Sequence, residues 1–366
     1  ETHAGSGRQS KRQTLAGARA NKATMDWSDY RAPVPSFLGT RVFEDYDLEE
    51  LRNFIDWTPF FRTWELAGKF PNILQDDIVG EAARDLYGDA QEMLDWIVTD
   101  KWLTPRAVVG FWPANAVGDD IMLYRDEYRH MPLSSIHMLR QQMVRGNNAR
   151  PNFGLSDFVA PADSGARDYF GGFVVTAGAE IDAIAARYEK DNDDYNEILV
   201  KALADRLAEA FAERMHQRVR TELWGYAPEE DLSNEALIAG EYQGIRPAPG
   251  YPACPDHTEK MTLFDILDAE AATGVSLTES CAMWPPPSVA GFYFSHPEAR
   301  YFGVGRIERD QVEDYARRKG IDVETVERWL APNLNYNPDD YTDRDAAAKL
   351  ATHSHKPALL DTSVIV

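Results

Sequence analysis

The sequence predicts an α+β domain built on an antiparallel sheet, and three observations carry that class. Two hairpin patterns stand in the chain, RAVVGFW with DDIMLYRD and GFYFS with RYFGVGRI, and strands joined by short turns pair antiparallel. The hairpins are separated by helical stretches without the strand–helix alternation that a parallel sheet needs. No GxGxxG follows a strand, so a dinucleotide-binding unit is not supported.

The elements follow in chain order. Residues 1–25 are basic, small and polar, with almost nothing to bury. That is linker composition, and with no initial methionine the segment is expected to be an interdomain linker at the cut end of a longer protein. From Asp26 aromatics become frequent, and LRNFIDWTPFFRTWELAG is dense enough in them to be core. Asp56 inside that run is unusual, because a buried carboxylate needs a cation or several donors. A helix is expected over 80–96. The first hairpin follows, separated by PANAVG with Gly118 in the turn, then a short strand in YFGGFVVTAG. Over 194–220, Leu199, Leu203, Leu207, Phe211 and Met215 recur every four residues, the period of a helix. Ile198, Ala202 and Glu209 fall on another side of it, so the helix is central and Glu209 points into something.

IRPAPGYPACPDHTEK cannot be regular structure. Its prolines remove donors and fix φ, while Gly250 permits a bend closed to other residues, so a stiff, extended loop is expected. Residues 258–273 are helical by pattern. The second hairpin, joined by HPEA, follows them. QVEDYARRKG and DVETVERWLAPNL form two short helices, the second stopping before Pro332. Residues 337–366 are expected to be a tail, which leaves 26–336 as the domain.

Composition bounds the function. A chain of 366 residues suits one large domain or two modest ones. Its 38 Lys and Arg against 60 Asp and Glu leave a formal charge of −22, a field that repels phosphate backbones, so no nucleic-acid partner is expected. No apolar run approaches the ~20 residues that span a bilayer, and no membrane partner is expected either. Two cysteines exclude a disulfide scaffold and fit a reducing cytoplasm.

Cys254 and His257 resemble half of a zinc site, but only Cys281 and scattered histidines could complete four ligands, so no metal is expected. No GxSxG, P-loop or HExxH occurs. The proline-rich loop is the strongest local feature. Arg246 at its entrance offers a planar fork suited to a carboxylate, Tyr251 an aromatic face with a hydroxyl, and Ala253 an approachable backbone. A structural loop with a surface arginine fits the same residues. In the second hairpin Tyr301, Gly303 and Gly305 share one strand face, a flat floor for a ring, although twist relief also explains two glycines. Together these parts suit a zwitterionic, ring-bearing ligand: Arg246 to a carboxylate, Asp56 or Glu209 to an ammonium or sulfonium, and Tyr301 to the ring.

At RPAPGYPACPDHTEK the sequence resembles the reactivation domain of cobalamin-dependent methionine synthase. The resemblance extends through DWSDYRAPVPSFLG, IDWTPFFRTWELAGKFPNIL, VGFWPAN, DDYNEILVKALADRLAEAFAE, LTESCAMWP and YFSHPEARYFGVGRI, essentially residues 26–335. It implies a single C-shaped α+β domain with a bent antiparallel sheet whose concave side holds S-adenosylmethionine. It further implies a grip by Asp56, Glu209 and the RxxxGYxxCP loop with Arg246, Gly250, Tyr251 and Ala253, then by Tyr301 and Phe302. Gly240 departs from the acidic residue expected at its position. The implied work is methyl donation from S-adenosylmethionine to cobalamin on a neighbouring module, after cob(II)alamin takes an electron from flavodoxin or a flavoprotein reductase. No side chain need be catalytic. A stand-alone S-adenosylmethionine-dependent methyltransferase is the alternative. Docking of a flavoprotein is an added role, for which Arg317, Arg318 and Lys319 form the candidate basic patch.

Overall fold

The computed structural model describes residues 12–144 and 150–340. In chain order come α1 (Leu15–Ala20), β1 (Gly39–Phe43), α2 (Leu48–Arg52), α3 (Trp57–Thr63), α4 (Gly80–Thr99), β2 (Arg106–Val117), β3 (Asp120–Tyr124), β4 (Pro132–His137) and β5 (Asp168–Thr176). Then follow α5 (Ile181–Lys190), α6 (Asp194–Arg218), α7 (Asn234–Ile238), α8 (Glu259–Leu267), α9 (Ala269–Thr273), β6 (Ser276–Leu277), β7 (Met283–Trp284), β8 (Ser288–Tyr293), α10 (Arg309–Lys319) and α11 (Val323–Trp329).

The main sheet is antiparallel throughout, as expected, in the order β4-β3-β2-β5-β8 with β1 also on β2. β2 organises it by changing partners along its length. Its first half, Ala107 to Phe111, pairs with β1, and Ala114 to Val117 pair with β3. Pro113, which has no N–H to give a ladder, lies at the step between those partners. Side chains then alternate between two cores. Ala107, Val109 and Phe111 face a layer made by α2 to α6, while Val108, Trp112 and Ala114 face α8 and α9. The predicted α6 stripe of Leu199, Leu203, Leu207, Phe211 and Met215 is wholly buried in the first core. On the other face Gly172 lets α8 come close, since a Cβ there would stand 2.6 Å from Leu263 Cδ1.

Four expectations change. Residues 12–25 are not a solvated linker. Leu15, Ala18, Ala23 and Met25 are buried, and Arg19 bridges Asp119 at 2.8 Å and Asp314 at 2.6 Å. A composition poor in apolar residues hid this docking, because half of each contact is an acid elsewhere in the chain. Residues 1–11 and 341–366, which hold the rest of the expected linker and nearly all of the tail, lie outside the described residues. The first hairpin keeps Gly118 in its turn, but β2 runs on through PANAV. The helix expected over 258–273 breaks at Asp268, which takes φ +50° between α8 and α9.

The second hairpin does not form. Residues 301–306 carry no strand, because the edge of β8 is already taken. Phe292 N–H donates to Pro247 O at 2.8 Å, and Ile245 and Phe294 exchange backbone bonds at 3.0 Å. The segment satisfies its own backbone elsewhere: Val304 N–H donates to Pro252 O at 2.7 Å, and Gln141 Nε2 to Gly303 O at 2.6 Å. No helix among the described residues is long and apolar enough to cross a membrane.

Candidate functional site

The proline-rich loop extends the sheet edge and then folds back on itself. After Pro247, Tyr251 N–H donates to Ala248 O, Cys254 N–H to Tyr251 O at 2.9 Å and Gly250 N–H to Cys254 O at 2.7 Å. The loop is therefore extended only at its start, a correction to the stiff, extended loop expected. Gly250 takes φ +92°, and a Cβ on it would fall on the His257 ring, so its contribution is to seat the turn against that ring. The turn leaves Tyr251 63% exposed and Ala253 buried.

A cavity of about 690 Å³ opens beside this loop, lined among others by Glu209, Arg246, Tyr251, Ala253, Tyr301 and Phe302. A second, of about 390 Å³, adjoins it and shares Glu209 and Arg246, adding Asp56, Arg206 and Glu213. The structure thus brings together every sequence-predicted site residue except Gly250, which supports the loop from behind. Gly303 and Gly305 line neither cavity, and with no strand at 301–306 the flat glycine floor is not formed. Tyr301 does something else: its hydroxyl accepts the Arg246 backbone N–H at 3.0 Å, tying the two segments together.

Asp56 caps α3, its Oδ1 accepting from Thr58 N–H at 2.9 Å. Glu209 stands exposed on α6 with no hydrogen-bond or ion-pair partner among the described residues. Both acids therefore keep acceptor capacity facing the second cavity.

Arg246 is differently placed from what its sequence position suggests. Its Nη2 donates to Glu213 Oε2 at 2.7 Å, and its Nη1 donates to Tyr242 Oη at 3.1 Å and meets His216 Nδ1 at 3.2 Å. Burial opposes its charge, but Glu213, then Tyr242 and Tyr301, outweigh that and raise its pKa above the ordinary arginine value. Burial, with the cations Arg220 and Arg246 nearby, holds His216 well below its usual pKa. The ring is therefore neutral, Nδ1 accepts from Arg246, and the proton sits on Nε2, 3.3 Å from Tyr226 Oη. Of the five N–H groups of Arg246, Nε–H and one on Nη2 remain unengaged among the described residues.

Glu213, His216 and Tyr242 were missed. A signal for the first two was present: Glu209, Glu213, His216 and Arg220 are spaced by four, three and four, a polar line down one face of an otherwise apolar helix.

Asp256 is engaged by Thr258, Tyr315 and Lys319, and burial raises the Cys254 thiol well above its usual pKa. One other reading changes. Arg317, Arg318 and Lys319 are not a free basic patch. Lys319 pairs with Asp256 at 2.7 Å and Glu259 at 2.5 Å, Arg318 with Asp314 and Asp120, and Arg317, still exposed, with Asp314.

Residues 47–320 match the family described as vitamin B12 dependent methionine synthase, activation domain. A solved structure, described as the crystal structure of the MetH reactivation domain bound to AdoHcy, is 58% identical, with a TM-score of 0.87. The match covers 89% of this chain and 99% of that one.

Proposed function

The chain belongs to the family of vitamin B12-dependent methionine synthase activation domains, and from that premise we propose that it binds S-adenosylmethionine and aims its methyl group at cobalamin held by another module of the enzyme. The observation that carries this reading is the pairing of unlike groups around Arg246. Two free guanidinium N–H groups stand beside Asp56 and Glu209, two acids with acceptor capacity to spare. An α-amino acid carries the complementary carboxylate and ammonium. The adjoining 690 Å³ cavity, with Tyr251, Ala253, Tyr301 and Phe302, has room and aromatic surface for a nucleoside.

The corrin cobalt, once reduced, supplies the nucleophile; the chemistry asked of this chain is binding and orientation. The S–CH₃ bond breaks, its electron pair stays on sulfur, and S-adenosylhomocysteine is left in the site. Acids near the sulfonium favour binding, but that charge vanishes on transfer, so an over-strong grip would slow the reaction. Asp56 and Glu209 hold neither a buried cation nor each other, which suits a moderate field. The electron donor in this reading is flavodoxin or a flavoprotein reductase in the cytoplasm, docked elsewhere than at 317–319. The domain bounds 26–336 belong to the same proposal, with 12–25 as a strap lying on them.

Calorimetry tests the reading. The chain should bind S-adenosylmethionine and S-adenosylhomocysteine with one-to-one stoichiometry. Absence of heat with both ligands overturns it.

A further inference from the structure

We propose that Glu213 is a positioning residue of this site, one that holds the guanidinium of Arg246 so that two of its N–H groups are left for a ligand carboxylate; the proposal rests on the S-adenosylmethionine reading above. Its side chain is 9% exposed and lines the second cavity, with Oε2 2.7 Å from Arg246 Nη2. Oε1 is buried without a hydrogen-bond partner among the described residues. An ion pair buried this deeply, with one oxygen unsatisfied, is a poor device for stability alone, because desolvation offsets its attraction and the orphan acceptor adds a further cost.

The pair makes sense as geometry. Both Nη1 hydrogens are engaged by His216 and Tyr242, and one Nη2 hydrogen by Glu213. What remains is Nε–H and the second Nη2–H. Two donors of the planar fork are thus left over, and a guanidinium with two N–H groups to offer is suited to a carboxylate. His216 and Tyr242 are neutral partners that a rotating guanidinium could exchange for water. Glu213 is the charged one, and it comes from α6, with 13 of its 25 residues buried.

The test is calorimetry with S-adenosylhomocysteine on the full chain and three variants, Glu213→Gln, Arg246→Ala and the double substitution. 5′-Methylthioadenosine, which lacks the amino-acid end, is measured in parallel by ligand-observed NMR. Glu213→Gln should weaken S-adenosylhomocysteine by about tenfold to a hundredfold, the range of a charge-assisted hydrogen bond. It should leave 5′-methylthioadenosine unchanged and cause no further loss in the Arg246→Ala background, because the residue acts through that guanidinium. Unaltered affinity, additive losses, or a parallel loss of both ligands overturns the proposal. Should Glu213→Gln fail to fold, Glu213→Asp keeps the charge but draws it back by one methylene. A selective loss of S-adenosylhomocysteine in that variant supports the assignment, and full affinity overturns it. No binding by the unaltered chain removes the ligand reading and this proposal together, whereas binding by the unaltered chain with an indifferent Glu213→Gln removes this one alone.

Discussion

Arg246 joins two roles that sequence alone assigned to one. Arg246→Ala should weaken S-adenosylhomocysteine by ~2 kcal/mol or more through loss of a charge-assisted pair, read by calorimetry. The proline-rich loop does not insulate the fold from this change, because Glu213 is left buried without its cation. Denaturant unfolding should therefore show a loss of about 3 kcal/mol as well; unchanged affinity would remove Arg246 from the site. His216 makes a second prediction. Its native pKa is depressed by burial and by Arg220 and Arg246, so below pH ~6.5 the unfolded chain binds a proton that the native chain refuses. Stability should fall with pH from that point, by at most about 1.4 kcal/mol per pH unit for this one group. His216→Gln should flatten the fall without abolishing it, since His257 and His296 are depressed too. An unchanged slope between pH 6.5 and 5 would show that His216 is not the source. At this scale the sequence was legible where a residue type is rare in its setting, as with Asp56 or Arg246. For Glu213 and His216 the helical spacing marked a polar line but not its purpose, because the partner that gives it meaning is 33 and 30 residues away.

Among elements, the helical repeat carried α4 and α6, while β5 and the first hairpin were legible as short apolar runs bounded by glycine turns. The second hairpin failed for a reason that no local pattern holds. GFYFS does form β8, but its free edge is claimed by Ile245 to Pro247 before RYFGVGRI can pair. That exchange is what builds the site, because it brings Arg246 under Tyr301 and Pro252 under Val304. Residues 12–25 failed in the opposite direction, docking where composition promised a solvated chain. Arg19→Ala tests that docking. It removes one cation shared by two buried acids, though Asp119 keeps Arg140 and Asp314 keeps Arg318. The expected cost is about 2 kcal/mol, with residues 12–25 becoming the first segment cut in limited proteolysis. Equal protease resistance in the variant would mean that Leu15 and Met25 hold the strap without its ion pairs.

At the scale of the molecule, the proposed reading gives this chain a methyl donor to hold and puts the methyl acceptor on another module. Its two cavities are lined by the acids Asp56, Glu209 and Glu213, by Arg206, Arg246, Lys260 and His257, and by aromatic surface, with His216 behind them neutral and already hydrogen-bonded. Mixed with S-adenosylmethionine alone, it should show binding without turnover. Mixed with the cobalamin-carrying module of the same enzyme and a chemical reductant, it should consume the cob(II)alamin absorbance. One S-adenosylhomocysteine should form for each cobalt converted. The coupling follows from energetics rather than from contact: reduction of cob(II)alamin is uphill, so the population of reduced cobalt stays small until methyl transfer removes it. Omitting the ligand should leave the cob(II) spectrum in place. Arg246→Ala should slow its loss at low ligand and recover at saturating ligand if the residue acts in binding alone. Tyr251 and Tyr301, both more than half exposed at the cavity, are the side chains best placed to shape the approach of the corrin. Their substitution by Leu should lower the rate at saturating ligand. Equal rates of cob(II)alamin loss with this chain left out would refute the function proposed for it.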